Sequence, residues 1–170
     1  MLGGEQGTAA DTVTSRTPVV FSGVPVVTVQ PAVARLGQTY TLSVTDENGN
    51  PLVQGTSISV RVEGTKVKAV GHTSVLLDDT AFLGGLAYEN IVRGPGITTF
   101  TFRAVEDLST DEAGTPTVET ITITVSGPNG AIEVVLGGGT ATPQVRTPLR
   151  GVDTSVEQRA DGSLRVRLVE

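Results

Sequence analysis

The sequence predicts an all-β protein, a sandwich of two stacked sheets carrying a β extension at its far end. Three observations predict it. Valine and threonine are the commonest of the 170 residues, and both are β-branched, stiff side chains that suit a pleated, half-buried surface. Apolar residues recur with period two over residues 39–45, 57–63, 99–105 and 119–126, which is the mark of strands with one face inward. Turn residues separate these runs, and no long segment shows an apolar stripe at helical spacing.

The elements follow in order. Residues 1–18 are small and polar, ending at Thr17-Pro18, and read as an extended N-terminal segment. Val24-Pro25-Val26-Val27-Thr28-Val29 reads as an edge strand, because Pro25 cannot donate to a ladder. Over residues 39–45 Tyr40, Leu42 and Val44 face one way and the threonines and serine the other. Asp46-Glu47-Asn48-Gly49-Asn50-Pro51 then reverses the chain, Asn-Gly being suited to the positive φ of a turn. Residues 57–63 follow with Ile58, Val60 and Val62 inward, and the two runs are expected to pair antiparallel. Residues 66–70 and 73–77 read as two short strands around Gly71. Residues 78–85 read as a loop, 86–92 as a strand and Arg93-Gly94-Pro95-Gly96 as a tight turn. Phe100, Phe102 and Ala104 point inward from the next strand, and Ile121, Ile123 and Val125 from the one after the acidic loop 106–116. That makes seven or eight short strands, the pattern of a two-sheet sandwich.

Some of these segments also carry a resemblance. Val44-Thr45-Asp46-Glu47-Asn48-Gly49-Asn50-Pro51-Leu52 followed by Gly55-Thr56-Ser57-Ile58-Ser59-Val60 resembles the B–C hairpin of bacterial immunoglobulin-like domains, the invasin- and intimin-related repeats of surface proteins. Gly96-Ile97-Thr98-Thr99-Phe100-Thr101-Phe102 and Glu119-Thr120-Ile121-Thr122-Ile123-Thr124-Val125 resemble that family's last strands. The resemblance spans about residues 24–126 and implies an immunoglobulin-like β-sandwich of seven to eight strands over residues 19–127. It also implies a spacer, stalk or adhesive role at a bacterial surface, with no catalytic residues.

Residues 128–170 form the extension, either a set of β-strands or a small β subdomain. Ala131-Ile132-Glu133-Val134-Val135-Leu136 is apolar, Gly137-Gly138-Gly139 interrupts it, and Thr142-Pro143 and Thr147-Pro148 keep residues 140–150 extended. Residues 156–159 and 163–169 flank Ala160-Asp161-Gly162 as a closing hairpin, with Leu164, Val166 and Leu168 on one side and Arg165 and Arg167 on the other. An amphipathic strand needs a cover and a sheet edge to pair with. Its host is either the same chain or, by strand donation, a neighbouring copy; repeated head to tail, donation builds a filament. The residues that would carry such assembly are Leu164, Val166 and Leu168, with Ile132, Val134 and Val135 as a second set. On the donation reading, deleting residues 156–170 abolishes assembly and leaves the sandwich folded.

Charge and composition set further bounds. The net charge of −6 resides in residues 1–126, which hold seven Lys/Arg against thirteen Asp/Glu, while residues 127–170 hold five of each. An acidic body without a basic cluster argues against nucleic acid as a partner, and no apolar run reaches the ~20 residues of a membrane helix. The absence of cysteine excludes disulfides, thiolate zinc sites and a cysteine nucleophile. His72 is the sole histidine, which leaves no histidine pair for zinc. No phosphate-loop motif is present, and four Phe, two Tyr and no Trp leave little to line a sugar cleft.

No cofactor is required by these motifs. Calcium is the ion that loop acids would suit, through Asp78 and Asp79 in one loop and Glu106, Asp107, Asp111 and Glu112 in another; the competing reading is solvated turn acids. The expected function is thus a non-enzymatic structural or adhesive subunit, extracellular at a bacterial cell surface, that associates with itself; on the donation reading, and not on the self-docked one, it assembles into a filament. The alternatives are a virion component such as a phage tail or capsid-decoration protein, for which a start at Met1 without a signal peptide is natural, and a spacer or binding module of a larger secreted protein.

Overall fold

A computed structural model describes residues 24–77, 98–128, 130–139, 143–146 and 153–169. The expected loop at 78–85, strand at 86–92 and turn at 93–96, and the N-terminal segment 1–18, lie outside the described residues.

Two antiparallel sheets stack face to face as a β-sandwich. The strands are β1 (Val26–Gln30), β2 (Thr39–Thr45), β3 (Ser57–Thr65), β4 (Val67–Gly71), β5 (Ser74–Leu76), β6 (Thr99–Glu106), β7 (Thr117–Gly127), β8 (Gly130–Gly137), β9 (Gln144–Arg146), β10 (Asp153–Gln158) and β11 (Leu164–Val169). Among the described residues, the first sheet has six strands in the order β10-β11-β1-β2-β6-β4, and the second has five in the order β5-β3-β7-β8-β9.

Alternation places the core as the sequence indicates. Val27, Val29, Tyr40, Leu42, Val44, Phe100, Phe102 and Ala104 are buried from the first sheet. Ile58, Val60, Ile121, Ile123, Val125, Ile132, Val134 and Leu136 meet them from the second. Successive side chains of a strand point to opposite faces, so one inward set leaves the threonines and serines of the same strands outward.

Three expectations change. Residues 39–45 and 57–63 do not pair: β2 lies between β1 and β6, whereas β3 lies between β5 and β7 in the opposite sheet. The segment between them crosses from sheet to sheet instead of closing a hairpin. Its turn is held by Asp46, whose buried carboxylate accepts from the Asn48 N–H at 2.9 Å and the Asn50 N–H at 2.7 Å. Secondly, β1 is interior, flanked by β2 and β11; Pro25 precedes the strand, so its missing donor costs the ladder nothing. Thirdly, the boundary expected at residue 127 falls within the β7–β8 hairpin, whose register runs from Thr120↔Gly137 to Gly127↔Gly130. β8 and β9 extend the second sheet and β10 and β11 the first.

One irregularity shapes the second sheet. In the β3–β7 ladder Glu63 faces Thr120 while Gly64 faces Val118, so Glu119 is an extra, bulged residue. Gly64 has φ +148°, and a Cβ there would run into the Thr117 carbonyl oxygen, which glycine alone avoids.

Candidate functional site

The residues that the sequence marks for assembly sit in the chain's own core. β11 pairs with β1 in the register Val27↔Val166 and Val29↔Leu164, and Leu164, Val166 and Leu168 are buried. Ile132 and Val134 are buried in β8 opposite Val125 and Ile123. Val135 faces outward beside Thr122 and Gln144, because the period-two alternation that buries 132 and 134 buries Leu136 next. Of the two hosts for the last strand, the structure therefore shows the chain's own first sheet. The β10–β11 hairpin is joined from Asp153↔Val169 to Gln158↔Leu164, and its tip is fixed by Asp161, whose carboxylate accepts from the Ser163 hydroxyl at 2.6 Å and the Ser163 N–H at 2.9 Å. These contacts hold the Asp161 carboxyl below its usual pKa.

With the hairpin docked, the rims of the first sheet among the described residues are β10 and β4, and those of the second are the three-residue strands β5 and β9. β4 carries Lys68 and Val70 outward and Ala69 inward, since Ala69 lies opposite buried Ala104. β10 carries Ser155 and Glu157 on the outer side, opposite Arg167 and Arg165, and Val156 on the inner side, opposite Val166. Val70 is 40% and Val156 47% exposed, so each rim shows one large apolar side chain to solvent. Sequence reading could not locate these rims, because which strand ends a sheet depends on where β10–β11 docks.

The loop acids proposed for calcium divide. Asp78 and Asp79 lie outside the described residues. Asp107 accepts from the Ser109 hydroxyl at 2.6 Å, the Ser109 N–H at 3.0 Å and the Lys68 ammonium at 3.0 Å. The Ser109 hydroxyl above all, then Lys68 and the Ser109 amide, lower the Asp107 carboxyl to a pKa of about 2. Glu112 accepts from the Lys66 N–H at 3.0 Å, and Glu106 lies 3.8 Å from the Lys66 ammonium. Asp111 is exposed in the same loop. This loop is thus tied to the β3–β4 turn by lysine contacts, and among the described residues no group of three His, Asp or Glu side chains is placed to hold a metal ion.

His72 extends the β4–β6 pairing beyond Gly71. Its N–H donates to the Thr101 carbonyl at 2.9 Å, its Nδ1 accepts from the Thr101 N–H at 3.1 Å, and its ring meets Phe100 edge to face at 6.0 Å. These are the contacts of a strand-end residue. At the other end of the sandwich an open cleft of about 210 Å3 lies between the β1–β2 loop and the β10–β11 tip, lined by Arg35, Gln38, Gln158 and the backbone near Pro31 and Gly162. One cation and two amides give that cleft no acid–base pair.

Among the described residues, no helix is long and apolar enough to cross a membrane. No family model, curated protein or solved structure matches the chain.

One relationship bears directly on use. Val26, at the start of β1, lies opposite Arg167, near the end of β11. The first and last described strands are thus antiparallel neighbours, and the start of β1 lies at the same end of the sandwich as the end of β11.

Proposed function

We propose that this chain is a non-catalytic structural and adhesive unit of a bacterial cell surface, built as an immunoglobulin-like sandwich and associating with copies of itself. Strand order supports the immunoglobulin-like part. That arrangement sets strands A-B-E-D against C-F-G; taking β1, β2, β6 and β4 as the first set and β3, β7 and β8 as the second keeps both the neighbours and the chain order. The short β5 beside β3 and the added β9, β10 and β11 are departures. The hydroxyl-rich outer faces suit a unit that stays soluble between contacts.

The observation that carries the reading is the pairing of Val26 with Arg167. An in-line spacer transmits tension between opposite ends, with its terminal strands loaded in shear. Here tension on the two ends would peel β1 from β11 one pair at a time. The arrangement fits a unit that hangs from one end and meets its neighbours laterally. The same geometry favours a second reading, a decoration protein on a virion, over a spacer within a larger secreted chain.

Brief trypsin treatment of intact native cells, with a parallel assay of virions purified from the same culture, tests this. Release of the chain's peptides from intact cells while a cytosolic marker stays inside is the expected outcome. Recovery from virions alone moves the assignment to the second reading, and recovery from cytosol alone rejects both.

A further inference from the structure

We infer that copies of this chain associate head to tail by laying β10 of one copy along the outer edge of β4 of the next, so that the six-stranded sheet runs on from molecule to molecule. This rests on the self-association reading above and names its surface.

Strand direction singles out these rims. Every ladder in the first sheet is antiparallel and the sheet has six strands, so β10 and β4 run in opposite directions at its two edges. A second copy displaced along the sheet, without being turned end for end, therefore brings its β10 antiparallel to β4. The second sheet has five strands, so its rims β5 and β9 run the same way. The same displacement would set those two parallel, with slanted and weaker bonds, over strands of three residues. Among the described residues, no strand pairs with the outer edge of β4 or β10.

The side chains choose the register. Setting Ala69 against the neighbour's Val156 joins two inward-facing apolar residues across the new ladder. It also places Lys68 opposite the neighbour's Glu157 and Val70 opposite its Ser155, all outward-facing. A slip of one residue would put Lys68 against Val156 and turn every pair to mismatched faces. The Lys68 side chain is 46% exposed beside Asp107, so its ammonium can meet a second carboxylate. Opposite charges facing each other across strands stabilise pairing. The contact is heterologous: it uses different rims on the two partners, and it therefore grows chains and not closed dimers.

Sedimentation velocity and negative-stain microscopy of the full chain, from micromolar to millimolar concentration at low salt, test the inference. Mean mass should rise with concentration and fall when about 0.5 M sodium chloride is added. Lys68→Glu and Glu157→Lys should each weaken association about tenfold or more, since each sets like charges opposite one another. An equimolar mixture of the two variants should assemble again, because each altered rim then meets its complement on the other variant. A folding defect would not be repaired by mixing, and circular dichroism of each variant checks the fold directly. A wild type that stays monomeric throughout, or a mixture as dispersed as its components, overturns the inference. Neither result bears on where trypsin finds the chain, so this inference and the surface assignment fail separately.

Discussion

Tyr40 lies flat on Phe102, their ring centroids 4.8 Å apart and their planes 8° from parallel. The two residues are direct cross-strand partners of β2 and β6, and both are buried. The phenol oxygen of Tyr40 also reaches back along the chain, accepting from the Arg35 N–H at 2.8 Å and donating to the Val33 carbonyl at 2.9 Å. One side chain thus joins the centre of the core to the loop that enters β2.

Tyr40→Phe keeps the stack and removes the hydroxyl's loop contacts, so the part-buried Arg35 amide and Val33 carbonyl lose that partner. The expected cost is about 1–3 kcal/mol, read as a lower urea midpoint with an unchanged slope. Burial raises the Tyr40 pKa, outweighing the nearby Arg35 amide and charge. A raised pKa in an acid that is neutral when protonated gives stability that is full below the unfolded value, about 10, and is lost as pH rises through the folded value. Melting above pH 10 should therefore fall more steeply in the wild type than in the variant.

Asp46 anchors the crossing between sheets. Besides the two backbone amides, its carboxylate accepts from the Asn50 side-chain amide at 3.1 Å, and both residues are 1% exposed. Asp46→Ala leaves these donors, the two on Asn50 buried, to find other partners, and we expect a loss of about 2–4 kcal/mol. Asn48→Ala, which keeps the backbone amide that Asp46 accepts from, should cost less. Equal losses in chemical denaturation would show that the carboxylate is not what holds the turn.

Asp107 gives a prediction in pH. Its carboxyl is held at about 2, first by the Ser109 hydroxyl and then by Lys68 and the Ser109 amide. A depressed folded pKa gives stability that is present above the unfolded value, about 3.9, and is lost as pH falls through the folded one. The window is therefore roughly pH 4 down to pH 2. Carboxyl-carbon NMR should place the Asp107 midpoint near 2, and Ser109→Ala should move it upward more than Lys68→Gln does. A wild-type midpoint near 4 would show that these contacts do not form in solution.

How far the sequence could be read depends on what each residue's pattern encodes. Tyr40, Leu42, Phe100, Phe102, Ile121 and Ile123 advertise their inward positions, because alternation is local and burial follows it. Which strand neighbours which is not local. The Asp46-Glu47-Asn48-Gly49-Asn50-Pro51 signal for a reversal is genuine, yet a turn that closes a hairpin and one that passes between sheets use the same residues. Leu164, Val166 and Leu168 show plainly that β11 must cover something; nothing in their spacing says that β1 is what it covers. The Lys68 and Glu157 rims were illegible for the same reason, since an edge is defined by every other strand's position.

That docking of β11 reverses one expectation about truncation. Leu164, Val166 and Leu168 fill the core beside β1, and β8 reaches the same place: a Cβ on Gly130, whose φ is +146°, would stand 2.7 Å from Leu168 Cδ1. Removing residues 153–170 strips one side of β1 and uncovers Val27 and Val29, so the remaining chain should not melt as a cooperative unit. Leu168→Ala tests the same packing more gently, at about 2–4 kcal/mol for a buried leucine, and Gly130→Ala should be destabilising both by its backbone angle and by its collision with that leucine. The two sites share one contact, so their effects should fall short of additive: alanine at 168 removes the atom that alanine at 130 would strike. Differential scanning calorimetry of the single and double variants measures this directly. A truncated chain that melts cooperatively within a few degrees of the full one would mean that the last hairpin is an accessory to the sandwich and not a part of its core.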